Sequence, residues 1–233
     1  MKKSALLLAV ALCGLSTLDS YAQLTVTGGT EVVSQYVWRG YALVDGSTLQ
    51  PFLDIAWEDK GLSLSLWGSA AMARRDQYQG VDEFDITLNY TVAAGTHLDV
   101  DAGIIFYTFP GQESFTLAEQ TSPEFYVQVA PHLPLSPEVF LAYDANLGGD
   151  FYASVGVGQG FSMAGQTFSL GVAAGYNNGQ FDATSGLSHL DVALSTALVL
   201  GRVSLSPRAV YVRSFENTDN QGNRVYFGVG LGL

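Results

Sequence analysis

Apolar and polar residues alternate along most of this chain with a period of two. In residues 84–92 the even positions are apolar, whereas the odd positions are Asp85, Thr87, Asn89 and Thr91. Successive side chains of an extended strand point to opposite faces, so this pattern predicts a β-strand with one apolar and one polar face. Few segments carry the i, i+3, i+4, i+7 spacing of an amphipathic helix over any useful length.

The alternation recurs in segments of about ten residues, the length that a tilted strand needs to cross a bilayer. The predicted strands are residues 24–38, 50–58, 61–71, 84–92, 97–107, 123–130, 138–146, 151–161, 167–177, 188–198, 202–214 and 224–233. Short connections alternate with longer polar ones, except that 131–137 is long and 148–150 is short. This rhythm is typical of periplasmic turns and surface loops, so we predict an all-β fold, a transmembrane antiparallel up-and-down β-barrel of about 12 strands.

The composition supports a membrane barrel over a soluble sandwich or a lipocalin-like barrel. Hydrophobic residues make up 48% of the chain and charged residues only 14%. A soluble barrel would have to bury all twelve apolar faces, and it would lack the lysines that usually protect edge strands. After residue 22 the only lysine is Lys60, and no run of about 18 apolar residues predicts a membrane helix.

The first residues predict export. Residues 1–22 read as a cleaved signal peptide, with Lys2 and Lys3 before a short apolar stretch, which leaves residues 23–233 as the barrel. A lipid anchor on Cys13 is the alternative, but Leu12 stands where a small residue is expected. The mature part then has no cysteine and carries 8 basic and 21 acidic residues, which argues against nucleic acid as a partner. The predicted location is the bacterial outer membrane.

Aromatic residues near the strand ends predict the membrane interfaces. Tyr36 and Trp38 have apolar parity and are expected to face lipid at the outer interface, and Trp57 is expected at the inner one. Arg39 has the opposite parity, so it should project into the lumen, where it needs water or a partner.

Residues 34–69 carry a family resemblance. Their sequence, "SQYVWRGYALVDGSTLQPFLDIAWEDKGLSLSLWGS", resembles the opening of the TorF family of small Gram-negative outer-membrane porins. The matching residues are Ser34, Tyr36, Arg39, Gly40, Gln50, Trp67, Gly68 and Ser69, while Gln35 replaces an acidic residue of the family pattern. The resemblance implies a channel, but no particular solute.

The polar parity predicts a charged lumen. The predicted pore-lining residues are Glu31, Arg39, Asp54, Trp67, Glu83, Asp85, Asp99, Asp101, Glu124, Asp144, Arg202, Arg208 and Arg224. The arginines fall on the first, eleventh and twelfth strands, which become neighbours on closure, and most of the acids fall on strands four to seven. Facing walls of opposite sign would orient polar solutes, and the acidic excess should favour cations. The alternative is that the charges pair and plug the lumen, because twelve strands lie between a filled and an open barrel.

Enzymatic and metal chemistry find little support. His189 and Asp191 share the lumenal face, as in a protease of the omptin type, but no second acidic pair is placed beside them. A phospholipase of the outer-membrane type would need a lipid-facing serine and histidine at one height, whereas parity puts His97 and His189 inside and His132 in a turn. We therefore expect no enzyme, no cofactor and no metal site.

We accordingly predict a porin-like channel for passive diffusion of small polar solutes, and the alternative is a non-conducting structural or receptor barrel. Trp67 could stack on a ring-bearing solute or simply fill space, and the 109–122 loop could fold inward as a constriction. Expected partners are outer-membrane lipid, lipopolysaccharide (through Arg213 or through Arg74 and Arg75), the solute, and the barrel-assembly machinery. Residues 227–233, with Gly228, resemble the terminal signal which that machinery reads.

Overall fold

The chain folds into an antiparallel β-barrel. A computed structural model describes residues 24–72, 81–93, 97–110, 121–215 and 222–232. Its strands are β1 Leu24–Val33, β2 Tyr36–Trp38, β3 Tyr41–Val44, β4 Thr48–Trp57, β5 Leu62–Ala71, β6 Glu83–Ala93, β7 Leu98–Thr108, β8 Thr121–Pro131, β9 Glu138–Asp144, β10 Phe151–Met163, β11 Gln166–Asn177, β12 Gly186–Thr196, β13 Leu198–Leu200, β14 Val203–Ser214 and β15 Arg224–Gly232. Two 3-10 turns lie at Glu58–Lys60 and Gln180–Asp182. In the described ranges no helix has the length and apolar character needed to span a membrane.

Twelve of these strands form the closed wall, which confirms the predicted fold class. Neighbouring strands pair in chain order from β4 to β12, and the short β13 continues the edge of β12 against β14. Closure occurs at β1, which pairs with β4 on one side and with β15 on the other. The observed strand bounds lie close to those that the alternation predicts, since pairing extends wherever the period of two continues.

The faces of the wall are those that the parity predicts. Apolar side chains such as Leu88, Leu141 and Phe227 lie on the outer face, where 49%, 52% and 59% of their surfaces are exposed. Polar side chains such as Glu124 and Asp144 are fully buried inside. Exposed apolar and buried polar residues are the reverse of a soluble barrel and suit a hydrocarbon surrounding.

The first predicted strand ends earlier than expected. The ladder of β1 stops at Val33, and the chain then turns into the lumen as the β2–β3 hairpin before β4 begins at Thr48. Ser34 marks the departure, because its backbone N–H still donates to Phe227 O at 2.8 Å. We call residues 34–47 the lumenal hairpin.

Candidate functional site in the barrel lumen

The lumenal hairpin packs against the wall through Tyr36. The Tyr36 hydroxyl donates to Glu83 Oε2 at 2.8 Å, and its ring centroid lies 5.5 Å from that of Trp67 on β5. Trp38 lies edge-on to Tyr107 of β7, with 5.9 Å between centroids. Each contact joins the hairpin to a side chain on the inner face of the wall.

These contacts overturn the predicted interface role of Tyr36 and Trp38. Only 8% of the surface of Tyr36 is exposed, so the prediction that these two rings face lipid is wrong. The physical reason is that the Tyr36 hydroxyl finds a buried carboxylate, Glu83, inside the barrel and its ring packs on Trp67, and these partners come together only when the wall closes. Trp57 lies at the inner end of β4 and is 36% exposed.

Arg39 crosses the lumen to a buried carboxylate. Its Nη1 and Nη2 atoms donate to the two oxygens of Glu124 on β8 at 2.8 and 2.7 Å. Nη1 also contacts Gln180 Oε1, and the guanidinium carbon lies 4.0 Å from the ring centroid of Tyr152. Glu124 accepts further bonds from Tyr107 Oη and Gln180 Nε2, both at 3.0 Å. The arginine therefore belongs to the hairpin and not to the wall, and its charge is matched by a bidentate ion pair.

Gly40 allows the chain to turn tightly at the tip of the hairpin. It has φ of +88°, and a Cβ there would collide with the side chain of His189. His189 stacks on Tyr152, its Nδ1 lies 2.9 Å from Ser188 Oγ and its Nε2 lies 3.8 Å from Asp191 Oδ2. Ser188 is 2% exposed, so its hydroxyl is closed to a substrate.

A second ion pair lies deeper in the lumen. Arg208 on β14 donates from Nε and Nη2 to the carboxylate of Glu31 on β1, at 2.6 and 2.8 Å. The pair lies over Gly228 of the intervening strand, where a Cβ would meet both side chains. Gly228 also belongs to the segment that resembles a terminal assembly signal. Its missing side chain leaves room for the ion pair between Glu31 and Arg208.

The other predicted pore-lining residues are spread along the wall. Asp54 accepts from Ser65, Asp101 accepts from Asn89, and Asp99 pairs with His132 near the inner mouth. Asp85 lies opposite Trp67 on β5 and Tyr107 on β7.

The remaining three predicted residues lie at strand ends. The Asp144 carboxylate accepts from the backbone of the connection that follows it, and Arg224 lies at the outer end of β15. Arg202 lies exposed in the turn before β14. The placement of Arg202 on the lumen wall is therefore wrong, because the strand begins only at Val203.

Below the hairpin the lumen is hollow. A cavity of about 350 Å³ is bounded by Gly156, Gly158, Gly171, Ala173 and Ala193 on one wall. Glu138, Asp191, Arg208 and Tyr226 also line it. A neighbouring space of about 240 Å³ reaches Glu31, Gln50 and Trp67 under the hairpin. Small side chains on β10 to β12 leave this volume, and charged groups within it require water.

Sequence reasoning missed the residues of the 177–183 segment. Gln180 is fully buried and joins Arg39 to Glu124, and Phe181 lies 5.4 Å from Trp38, centroid to centroid. Nothing local in the sequence marks these residues, since the segment reads as a polar surface loop.

Some predictions fall beyond the described residues. The signal peptide, Cys13, Arg74, Arg75, and residues 111–120 of the expected constriction loop are among them. Arg213 is described; it lies at the outer end of β14 opposite Leu190, with its guanidinium carbon 5.1 Å from the Phe215 ring centroid. Within the described ranges, no group of three or more His, Cys, Asp or Glu residues is arranged to hold a metal.

Solved outer-membrane barrels share this fold. LpxR from Salmonella typhimurium matches with a TM-score of 0.56 and 11% identity, covering 89% of this chain and 99% of that protein. KdgM porin in complex with disordered oligogalacturonate matches with a TM-score of 0.52 and 11% identity, over 89% of this chain and 96% of that protein. Outer membrane phospholipase A from Escherichia coli matches with a TM-score of 0.50 and 12% identity, over 94% of each chain. Porins and enzymes both occur among them, so the likeness establishes the outer-membrane barrel fold and no activity.

Sequence comparison places the chain in a family. Among curated proteins, no sequence matches it. Residues 18–221 match the model of a bacterial protein family of unknown function, Gcw_chp, and the chain belongs to that family.

Proposed function

We propose that this protein is an outer-membrane channel for passive diffusion of small polar solutes, with a modest preference for cations. The observation that carries the proposal is the hollow lower lumen, a cavity of about 350 Å³ with Glu138, Asp191 and Arg208 on its walls. A barrel whose only task was structural could fill this space with larger side chains, which would avoid the cost of solvating charges.

The lumenal hairpin would act as the outer constriction of this channel. It is a loop rather than a wall strand, and Arg39 holds it across the lumen through Glu124 and Gln180. Such polar contacts can be exchanged for water, so the hairpin can move without opening the wall. Ser34, Tyr36, Arg39, Gly40 and Trp67 carry the resemblance to the TorF porins and meet at this hairpin, which supports membership of that group.

A second candidate is a non-conducting receptor or structural barrel. The same hairpin favours it, because Tyr36, Arg39 and Gln180 are buried where an open pore would hold water. We propose no enzymatic activity, since Ser188 and His189 are buried beneath the hairpin. The proposed location is the outer membrane, with lipid against the apolar outer face, lipopolysaccharide phosphates near Arg213, and the barrel-assembly machinery during biogenesis.

Recordings from single barrels in planar bilayers test the channel. We expect stepwise currents from the wild-type barrel, and several-fold larger steps from Arg39→Gln, because the variant loses the ion pair that holds the hairpin. Arg213→Gln, which removes an arginine from the outer face, is the matched control and should conduct like the wild type.

A folded wild-type barrel that stays electrically silent would overturn the proposal and favour the receptor candidate. Equal steps from Arg39→Gln and the wild type would leave conduction in place but exclude the hairpin as the constriction. Heat-dependent mobility on a denaturing gel verifies that each variant is folded before it is recorded.

A further inference from the structure

A further cavity lies above the hairpin, at the outer mouth. Its volume is about 440 Å³, and the hairpin, the 177–183 segment and the ends of β6 and β7 enclose it. This volume falls in the range of small-molecule sites, roughly 300–1,000 Å³. The proposed diffusion channel assigns no role to this cavity.

Five of the eleven residues that line it are aromatic. Trp38 and Tyr41 contribute from the hairpin, Tyr107 from the end of β7, Phe109 from just after it, and Phe181 from the segment opposite. Trp38 holds Tyr107 and Phe181 edge-on at centroid distances of 5.9 and 5.4 Å. Rings set at steep angles around one space resemble the cages that bind organic cations through the negative faces of their π-systems.

One carboxylate lines the same space. Glu83 is 4% exposed and, among the described residues, accepts a single side-chain hydrogen bond, from Tyr36 Oη to Oε2. An ionised carboxylate can accept about four hydrogen bonds, so Glu83 retains capacity for a donor or a positive charge on a ligand. Its neighbour on the same face, Asp85, has a buried Oδ1 with no hydrogen-bond partner in the part of the chain that the structure describes.

Among the described residues, the positive charge nearest the cavity is already matched. The Arg39 guanidinium carbon lies 4.4 Å from the Trp38 ring centroid, but its side chain is 8% exposed and bound to both oxygens of Glu124. With Arg39 and Glu124 paired, Glu83 is the acidic side chain on the cavity wall that remains available to a ligand among the described residues. The Glu83 carboxyl group and the aromatic rings therefore both favour a cationic ligand.

We propose that the outer-mouth cavity is a binding site for a small organic cation that carries an ammonium group and an apolar or aromatic body. The ammonium lies near Glu83, and the body lies among Trp38, Tyr107 and Phe181. An anion is disfavoured by Glu83, and a bare inorganic cation gains little from the rings. Binding here does not require conduction, so the site stands or falls independently of the channel.

Binding to the folded full-length mature protein in detergent tests the site. The probe is benzyltrimethylammonium, followed by isothermal titration calorimetry and by tryptophan fluorescence, since Trp38 lines the cavity. Phenylacetate, with the same ring and a negative charge, and tetramethylammonium, without the ring, are the comparison probes. We expect the first probe to bind at least about tenfold more tightly than either comparison.

Two variants remove the two recognition elements separately. Glu83→Gln removes the carboxylate and should lower the affinity for benzyltrimethylammonium about tenfold. Phe181→Leu removes one ring and should lower that affinity several-fold. Glu58→Gln makes the same chemical change at the opposite end of the barrel, where Glu58 accepts from Thr25 Oγ1, and should bind like the wild type.

Uptake of the probe into detergent is common to all variants, so the differences between them report the site. Phenylacetate binding as tightly as the cation would overturn the proposal, and so would unchanged affinity in Glu83→Gln. If Glu83→Gln fails to fold, Phe181→Leu decides, because unchanged affinity in that variant excludes the aromatic cavity.

Discussion

Gly228 illustrates how a single residue can be fixed by its neighbours. The side chains of Glu31 and Arg208 come from β1 and β14 and meet over β15 at this position. A larger residue at 228 would displace one partner and leave a charge in the lumen without its counter-ion. From the sequence, Gly228 has the parity of the lumenal face and a place in the resemblance to the terminal assembly signal, but nothing there indicates the ion pair.

Substitution at Gly228 should therefore be costly. Gly228→Ala is expected to lower the free energy of unfolding by about 1–3 kcal/mol, because the added methyl overpacks the ion pair. Gly230→Ala is the matched control on the same face, where the nearest side-chain atom to a Cβ is Ser206 Cβ at 3.6 Å. Urea unfolding in lipid vesicles measures both, and equal effects would contradict the role assigned to the pair.

Arg39 was predictable only in part. Its parity and charge indicate a lumenal position that requires a partner, and the structure supplies one. The identity of that partner was not predictable, because Glu124 lies 85 residues away in the sequence and only closure of the barrel brings it across the lumen.

At the scale of elements, one carboxylate explains the shortest outer connection. Asp144 ends β9 and its Oδ1 accepts from the backbone N–H of Asn146 at 2.9 Å and of Gly148 at 2.8 Å. Ser122 Oγ donates to the same oxygen at 2.6 Å. These bonds satisfy the backbone of the turn, so a short loop can be held close to the wall.

Removal of that carboxylate should loosen the connection. We expect Asp144→Ala to lower the free energy of unfolding by about 1.5–3 kcal/mol, the usual range for hydrogen bonds to a charged group. Asp150→Ala, at the other end of the same connection, should have a much smaller effect. Urea unfolding tests the pair, and a larger loss from Asp150→Ala would contradict this account of the turn.

The end of β1 was not predictable from alternation. The period of two continues through Tyr36 and Trp38, so sequence pattern extends the strand to residue 38. A strand and an inward hairpin can carry the same alternation, and the choice between them depends on Glu83, Trp67 and Tyr107, which lie on other strands.

At the scale of the whole molecule, the acids of the lower lumen should set ion preference. In a potassium chloride gradient we expect the reversal potential to give a several-fold preference for potassium over chloride. The double variant Glu138→Gln with Asp191→Asn should bring the ratio toward one, because both carboxylates line the cavity. Asp150→Asn, in an outer connection, is the control, and a clear chloride preference in the wild type would count against the acidic lumen as the selectivity element.

The sequence by itself determined the barrel. Alternation specifies which face each side chain takes, the number of segments specifies the strand count, and the low charge content requires an apolar surrounding. These properties are local, because they depend on residues two apart along one strand.

Only the tertiary structure decided what occupies the lumen. The hairpin, the ion pair between Arg39 and Glu124, the cavity below and the aromatic pocket above all depend on side chains from strands far apart in the sequence. Such contacts depend on the three-dimensional distance between residues after closure, which no periodicity along the chain encodes.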